Sequence, residues 1–121
     1  MPAERIAVLV VEDEPLIRMD IAAALEDEGF EVFEAANSAE AIDVIIHNPG
    51  IQALFTDIDM PGSMDGLLLA AFVRDRWPPI KIIVTSGHRT LEGGRLPVEG
   101  AFLPKPYRAA AVIASIRALV G

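Results

Sequence analysis

Residues 6–13 read Ile-Ala-Val-Leu-Val-Val-Glu-Asp, six apolar residues followed at once by two acids. A strand that is apolar at every position, with no polar alternation, is typical of a parallel sheet covered by helices on both faces. Such sheets bind ligands beyond the carboxyl ends of their strands. We therefore expect Glu12 and Asp13 to lie at the edge of the sheet where a functional site would form.

Three later apolar runs end in the same way, in Asp57, Thr85 and Lys105. Because the carboxyl ends of parallel strands share one edge of the sheet, the three acids, the hydroxyl and the ammonium are expected to converge on one cleft. Oxygen ligands suit a divalent cation such as Mg²⁺, and charge neutralisation with positioning is what phosphoryl transfer needs from a protein. The pattern therefore favours phosphoryl chemistry on an aspartate, assisted by a divalent cation.

Helical patterns separate the strands, and this alternation predicts an α/β fold with a doubly wound five-stranded parallel sheet. Residues 31–35 mix charged and apolar side chains, as an edge strand does. Asn37 and Glu40 are spaced as a capping box, whereas the Gly93-Gly94 pair disfavours a long helix in residues 88–98. The predicted buried stripes of the four helices are Leu16, Ile17, Ile21, Ala24 and Leu25; Ala41, Ile42, Ile45 and Ile46; Leu68, Leu69, Phe72 and Val73; and Ala109, Val112, Ile113, Ile116 and Val120.

The composition limits the classes of function. The chain has 121 residues, 52% of them hydrophobic, which suits one domain over 1–121. A net charge of -8 would repel a phosphate backbone, so direct nucleic-acid binding is not expected. The absence of cysteine excludes disulfides and thiol catalysis, and two histidines are too few for a nitrogen-rich zinc site. Without a leader or an apolar run of about 20 residues, the expectation is a cytoplasmic protein with no membrane partner.

Taken together, these residues resemble the receiver domain of two-component response regulators over about 6–120. The resemblance is carried by four motifs in this order: Val11-Glu12-Asp13-Glu14, Asp57-x-x-Met60-Pro61 with Met64-Asp65-Gly66, Thr85-Ser86-Gly87, and Lys105-Pro106. It implies the flavodoxin-like strand order 2-1-3-4-5. Three features depart from the commonest form, namely Glu12 in place of an aspartate, a loop at 61–64 that is one residue longer, and the Gly93-Gly94 pair, which weakens the helix that usually helps form the signalling face.

The resemblance implies a role for each matching residue. Asp57 would accept a phosphoryl group from a histidine kinase or a histidine phosphotransfer protein, with Thr85 and Lys105 binding the phosphoryl oxygens. Glu12, Asp13 and Asp57 would hold Mg²⁺ together with the backbone carbonyl of Asp59. Thr85 and Phe102 would form a switch, and Pro106 would follow a cis peptide bond. His47 and His88 are expected to be exposed bystanders, and the alternative for His88, three residues after Thr85, is to modulate dephosphorylation.

The function implied is a signalling domain that catalyses only its own phosphorylation and dephosphorylation and then binds a downstream protein target, as a monomer or as a phosphorylation-dependent dimer. Two alternatives remain open. Asp57-Ile58-Asp59 also matches the Asp-x-Asp nucleophile of haloacid dehalogenase phosphatases, although that class carries the motif on its first strand. The other alternative is a receiver fold that acts as a scaffold without being phosphorylated.

Overall fold

The computed structural model describes residues 5–58, 66–87 and 101–121. These residues form a five-stranded parallel sheet in the order β2-β1-β3-β4-β5, which confirms the predicted fold and strand order. The strands are β1 Ala7–Val11, β2 Glu31–Ala35, β3 Ile51–Asp57, β4 Lys81–Ser86 and β5 Ala101–Pro104. The helices are α1 Pro15–Asp27, α2 Ser38–His47, α3 Gly66–Arg76 and α4 Ala109–Val120.

The core has two layers because side chains alternate between the faces of each strand. Leu9 and Leu54 face a cluster built with α2 and α3. Val8 and Phe55 face a second cluster built with α1 and α4. Helices therefore cover both faces of the sheet, and the uniformly apolar sequence of β1 follows from its burial at all five positions.

The helix boundaries follow the local sequence. Asn37 Oδ1 accepts a hydrogen bond from the Glu40 amide at 2.8 Å, as predicted for the start of α2. The return bond runs from the Ala36 amide to Glu40 Oε1 at 2.9 Å, one residue earlier than in the usual capping box. Gly29, with φ of 92°, follows α1 in a conformation that suits a residue without a Cβ.

Four residues of the predicted stripes are exposed, and the prediction is wrong for them. Ile46 and Leu68 each lie one position, about 100° of rotation, from the buried Ile45 and Leu69. The other two are the neighbours Leu16 and Ile17, which lie in the first turn of α1, just past the end of β1. They line a groove of about 790 Å³ beside Lys105, Pro106 and Tyr107, so the sheet does not cover them.

Among the helices in the described residues, the longest is the 13-residue α1, and none has both the length and the apolar character needed to cross a bilayer. His47 is exposed, as expected, and its ring pairs with Asp43 one turn earlier. His88, the Gly93-Gly94 pair and the loop at 61–64 lie outside the described residues.

Gly66 at the start of α3 packs directly on the backbone that follows β3. A Cβ at this position would contact the carbonyl oxygen of Asp57 and lie 2.6 Å from the Cα of Ile58. We expect Gly66→Ala to lower the free energy of unfolding by about 1–3 kcal/mol, because backbone atoms must move to admit the methyl group. This loss outweighs the gain of up to about 1 kcal/mol that alanine brings to a helix. Urea denaturation measures the change.

Gly50 provides the matched control, since a Cβ there meets no atom within 4 Å. Gly50→Ala should leave the free energy of unfolding unchanged or slightly raised. Equal stability of the two variants would show that α3 does not approach the Asp57 backbone this closely.

Candidate functional site

The register of the sheet brings the predicted residues together at its carboxyl edge. Asp57 pairs with Thr85 across β3 and β4, and Ser86 pairs with Pro104 across β4 and β5. Glu12 directly follows the last paired residue of β1. The residues that end four strands therefore lie around one cleft, as the sequence predicted.

Backbone hydrogen bonds continue past the ends of the strands and fix the peptides that carry the site. The amide of Glu12 donates to Ala35 O at 3.1 Å, and the amide of Ile58 donates to Thr85 O at 3.0 Å. The amide of Lys105 donates to Ser86 O at 3.0 Å. The functional side chains thus extend from backbone that belongs to the rigid sheet rather than from free loops.

Lys105 and Asp57 form an ion pair in which Nζ lies 2.7 Å from Oδ2. The Asp57 side chain is only 5% exposed, against 28% for Lys105. A Cβ on Gly87 would lie 3.4 Å from Cβ and Cδ of Lys105, so the aliphatic part of the lysine passes close to this glycine. The Lys105–Pro106 peptide bond is cis, the form that the resemblance implied.

Three carboxyl groups share the cleft. One oxygen from each of Glu12, Asp13 and Asp57 can be chosen so that all three lie within 4.8 Å of one another. Glu12 and Asp57 are buried, and Asp13 is half-buried. At this separation two negative charges repel by about 3 kcal/mol at an effective dielectric constant of about 20.

Burial, followed by the neighbouring Asp57, raises the pKa of Glu12 from 4.5 to about 8. Neither carboxylate oxygen of Glu12 accepts a hydrogen bond from a donor in the described part of the chain. In the metal-free protein, Glu12 therefore favours its protonated form well above its ordinary pKa. Burial, with Glu12 and Asp57 nearby, also raises the pKa of Tyr107 to about 12.

The donor set suits a hard divalent cation. Mg²⁺ prefers oxygen ligands and is held by one or two carboxylates together with water. The buried oxygens of Glu12, which no donor satisfies in the described residues, are available for such an ion. The fourth predicted ligand, the backbone carbonyl of Asp59, lies outside the described residues.

The two predicted switch residues lie next to each other along the β4–β5 pair. Thr85 Oγ1 is buried and has no hydrogen-bond partner in the described residues. Phe102 is half-buried, pairs with Val84 and packs on the cluster under α2 and α3. Because adjacent strand positions face opposite sides of a sheet, Thr85 and Phe102 do not belong to the same face.

Sequence reasoning missed two residues near the site. Arg18 donates from Nη1 to the backbone oxygen of Glu12 at 2.9 Å. One feature of the sequence could have identified Arg18, because it is the only lysine or arginine among residues 6–57. Tyr107 packs edge-on against Phe55, with ring centroids 5.2 Å apart, close to the acids that help raise its pKa. Nothing in the sequence distinguished it from a core aromatic residue.

Comparison with known proteins gives consistent results. The model of the response regulator receiver domain family matches residues 8–117. An NtrX-like response regulator of Rickettsia bellii is 44% identical over 88 residues, which are 72% of this chain and 18% of that relative. The sensor kinase CckA of Brucella abortus is 38% identical over 104 residues, covering 83% of this chain and 11% of the kinase. The chain thus spans less than a fifth of the length of these two relatives.

A solved structure shows the same architecture over the whole domain. A response regulator receiver protein from Sinorhizobium medicae superposes with a TM-score of 0.87 at 30% identity. The match covers 97% of this chain and 95% of that one.

The raised pKa of Glu12 predicts how stability depends on pH without metal. In the folded state the Glu12 carboxyl group keeps its proton up to about pH 8, whereas in the unfolded chain it loses this proton near pH 4.5. The folded state binds more protons in this window, so the free energy of unfolding should fall as pH rises through it, by at most about 1.4 kcal/mol per pH unit. The slope of the free energy of unfolding against pH can be measured by denaturing the metal-free protein at several pH values between 5.5 and 8. This window lies between the two pKa values of Glu12.

Glu12→Gln is the control, because it keeps the shape of the side chain and cannot titrate. Its stability should vary much less over the same window. Saturating Mg²⁺ should abolish the slope of the unmodified protein, since the metal-bound folded state and the unfolded chain both hold Glu12 deprotonated in this window. A slope that is the same in both proteins would show that Glu12 titrates normally.

Proposed function

Because this chain belongs to the response regulator receiver domain family, we propose that it is a phosphoacceptor in two-component signalling, with Asp57 as the phosphorylated residue. The observation that carries the proposal is the buried Asp57 carboxylate, paired with Lys105 at 2.7 Å beside two further acids. The family also argues against the phosphatase of the haloacid dehalogenase class. Residues 1–121 would act as one receiver domain.

The proposed reaction places a distinct demand on each side chain. An oxygen of Asp57 forms a bond to phosphorus while the bond from phosphorus to the donor histidine nitrogen breaks, and the imidazole keeps the electron pair. Lys105, already beside Asp57, then binds a phosphoryl oxygen with its ammonium group. The Thr85 hydroxyl, on the residue paired with Asp57, donates to another phosphoryl oxygen.

Glu12, Asp13 and Asp57, with the carbonyl of Asp59, would hold the ion that this chemistry uses. When bound, Mg²⁺ supplies the positive charge that offsets repulsion between the aspartate and the incoming phosphoryl oxygens. Glu12 must release its proton for the ion to bind, because burial and Asp57 hold it protonated in the metal-free site.

Phosphorylation would then be sensed through Thr85 and Phe102. The two side chains lie on opposite faces of the sheet at neighbouring positions of β4 and β5, so a shift of Thr85 would reach Phe102 through the paired backbones of these two strands. Phe102 is half-buried and already packs on the apolar cluster beneath α2 and α3, so fuller burial of its ring there would be the inward state. Two discrete packings of this kind can carry a local charge event to a distant surface.

The phosphoryl donor would be a histidine kinase or a histidine phosphotransfer protein, and similarity to part of a sensor kinase supports a place in such a pathway. Since the donor histidine is phosphorylated from ATP, we place the domain in the cytoplasm. Its output would be binding of a downstream protein through the face near 88–120, of which 101–120 are described. The net charge of -8 argues against nucleic acid as a direct ligand.

Acetyl phosphate provides a direct test of phosphorylation. With Mg²⁺, the unmodified protein should gain the mass of one phosphoryl group, measured by intact mass spectrometry. Asp57→Asn should gain none, because the amide is not a nucleophile of this kind. Lys105→Ala should fold and react far more slowly, since it loses the cation beside Asp57.

Asp43, an exposed acid of α2, is the control position. Asp43→Asn should react as the unmodified protein does. Failure of the unmodified protein to form an adduct under any condition would favour the scaffold alternative. An adduct that still forms in Asp57→Asn would show that another residue is phosphorylated.

The switch can be tested by fluorine NMR on protein carrying fluorophenylalanine at its five phenylalanine positions. Beryllium fluoride with Mg²⁺, which mimics the phosphoryl group, should shift the Phe102 signal, assigned with Phe102→Leu. Phe33 on the edge strand β2 should not respond. In Thr85→Val, which removes only the hydroxyl, the Phe102 shift should be lost. An unchanged Phe102 signal in the unmodified protein would exclude the switch.

A further inference from the structure

Arg18 connects three elements around the first two acids. Its Nη1 donates to the backbone oxygen of Glu12 at 2.9 Å, and its Nε lies 3.2 Å from Oε1 of Glu34 at the end of β2. The Arg18 side chain is only 19% exposed. Since helical side chains are directed toward the helix N-terminus, a residue in the second turn of α1 is suitably placed to reach back to the end of β1.

The hydrogen bond from Arg18 fixes a peptide that carries two of the acids. The carbonyl of Glu12 belongs to the rigid peptide plane that joins Glu12 to Asp13. On the other side of the same residue, the Glu12 amide donates to Ala35 O. Both backbone polar groups of Glu12 are therefore held, one by β2 and the other by α1, and this sets the direction of the Glu12 and Asp13 side chains.

We propose that Arg18 is a positioning residue that holds Glu12 and Asp13 in the arrangement that binds the divalent cation. The proposal rests on the proposed function for the role of the ion, but its structural part concerns the metal-free chain. The planar guanidinium suits the task because it donates in two fixed directions at once, to a carbonyl and to a carboxylate. Glu34 keeps the side chain extended toward Glu12.

The positive charge of Arg18 and its hydrogen bond to the Glu12 carbonyl should have opposite effects on Mg²⁺ binding. A positive charge near the acids repels a dication, so removal of the charge alone would tighten Mg²⁺ binding. Loss of the hydrogen bond to the Glu12 carbonyl would loosen the acids and weaken binding. Residues that orient metal ligands typically change affinity by about 10-fold or more, so the direction of the change separates the two effects.

The experiment measures the Mg²⁺ dissociation constant by calorimetry for the unmodified protein, Arg18→Met and Arg18→Lys. Arg18→Met keeps the apolar part of the side chain and should raise the dissociation constant about 10-fold. Arg18→Lys keeps the positive charge but lacks the planar guanidinium that donates in two directions. It should therefore also bind Mg²⁺ more weakly than the unmodified protein.

Arg117 offers a matched control far along the chain. Its Nη2 also donates to a backbone carbonyl, Glu28 O at 3.4 Å, and lies 3.6 Å from the Glu28 carboxylate. Arg117→Met removes the same kind of contacts and should leave the Mg²⁺ dissociation constant unchanged. Glu34→Gln should have a small effect, since its amide oxygen can still accept from Arg18.

Amide hydrogen exchange in the metal-free protein gives a readout that does not depend on the ion. Exchange at Glu12 and Asp13 should accelerate in Arg18→Met and not in Arg117→Met. Unchanged or tighter Mg²⁺ binding in both Arg18 variants would overturn the proposal and leave the phosphoacceptor function standing. If the unmodified protein binds no Mg²⁺, the proposed function fails, and the exchange rates still decide whether Arg18 holds this peptide.

Discussion

The site depends on one electrostatic constraint, which is that three carboxyl groups lie within 4.8 Å of one another at the edge of an apolar sheet. Two of them are buried, where water cannot separate their charges. Such a cluster reaches low energy only when protons or cations occupy it. Lys105 supplies a positive charge, yet burial, followed by the neighbouring Asp57, still raises the pKa of Glu12.

The stability of the sheet offsets the electrostatic repulsion between these charges. The central strands β1, β3 and β4 are largely apolar and buried, and backbone hydrogen bonds extend one residue past the ends of β1, β3 and β5. The backbones of Glu12 and Asp57 therefore cannot move apart without breaking the pairing of the central strands. Gly66 adds a second restraint, since α3 can lie against the Asp57 backbone only in the absence of a side chain. Core stability and site strain are thus linked through the same few peptides.

The sequence predicted the architecture well because its strongest signals are continuous along the chain. Uninterrupted apolar runs of a parallel sheet, each ended by a polar residue, located Glu12, Asp57, Thr85 and Lys105 correctly at one edge. Helix faces were predicted less well. Ile46 and Leu68 are apolar like their buried neighbours Ile45 and Leu69, and the sequence does not show which residue of each pair faces the core.

Contacts made by side chains to distant backbone atoms were not predictable at all. The bond from Arg18 to the Glu12 carbonyl depends on how α1 returns past the end of β1. The relation of Thr85 to Phe102 depends in turn on the register of β4 and β5. Both arise from tertiary geometry, whereas the sequence reports residue types and local spacing.

Lys105 and Arg18 both lie near the acids, but their charges are used in different ways, and the difference matters for the chemistry. Lys105 approaches Asp57 with a flexible point charge that can turn to an incoming phosphoryl oxygen. Arg18 instead directs its rigid fork to a backbone carbonyl and to Glu34. Had Arg18 paired with Glu12 or Asp13 directly, it would have neutralised the charge that attracts a metal ion. By binding the backbone instead, it orders the acids and leaves their negative charge available.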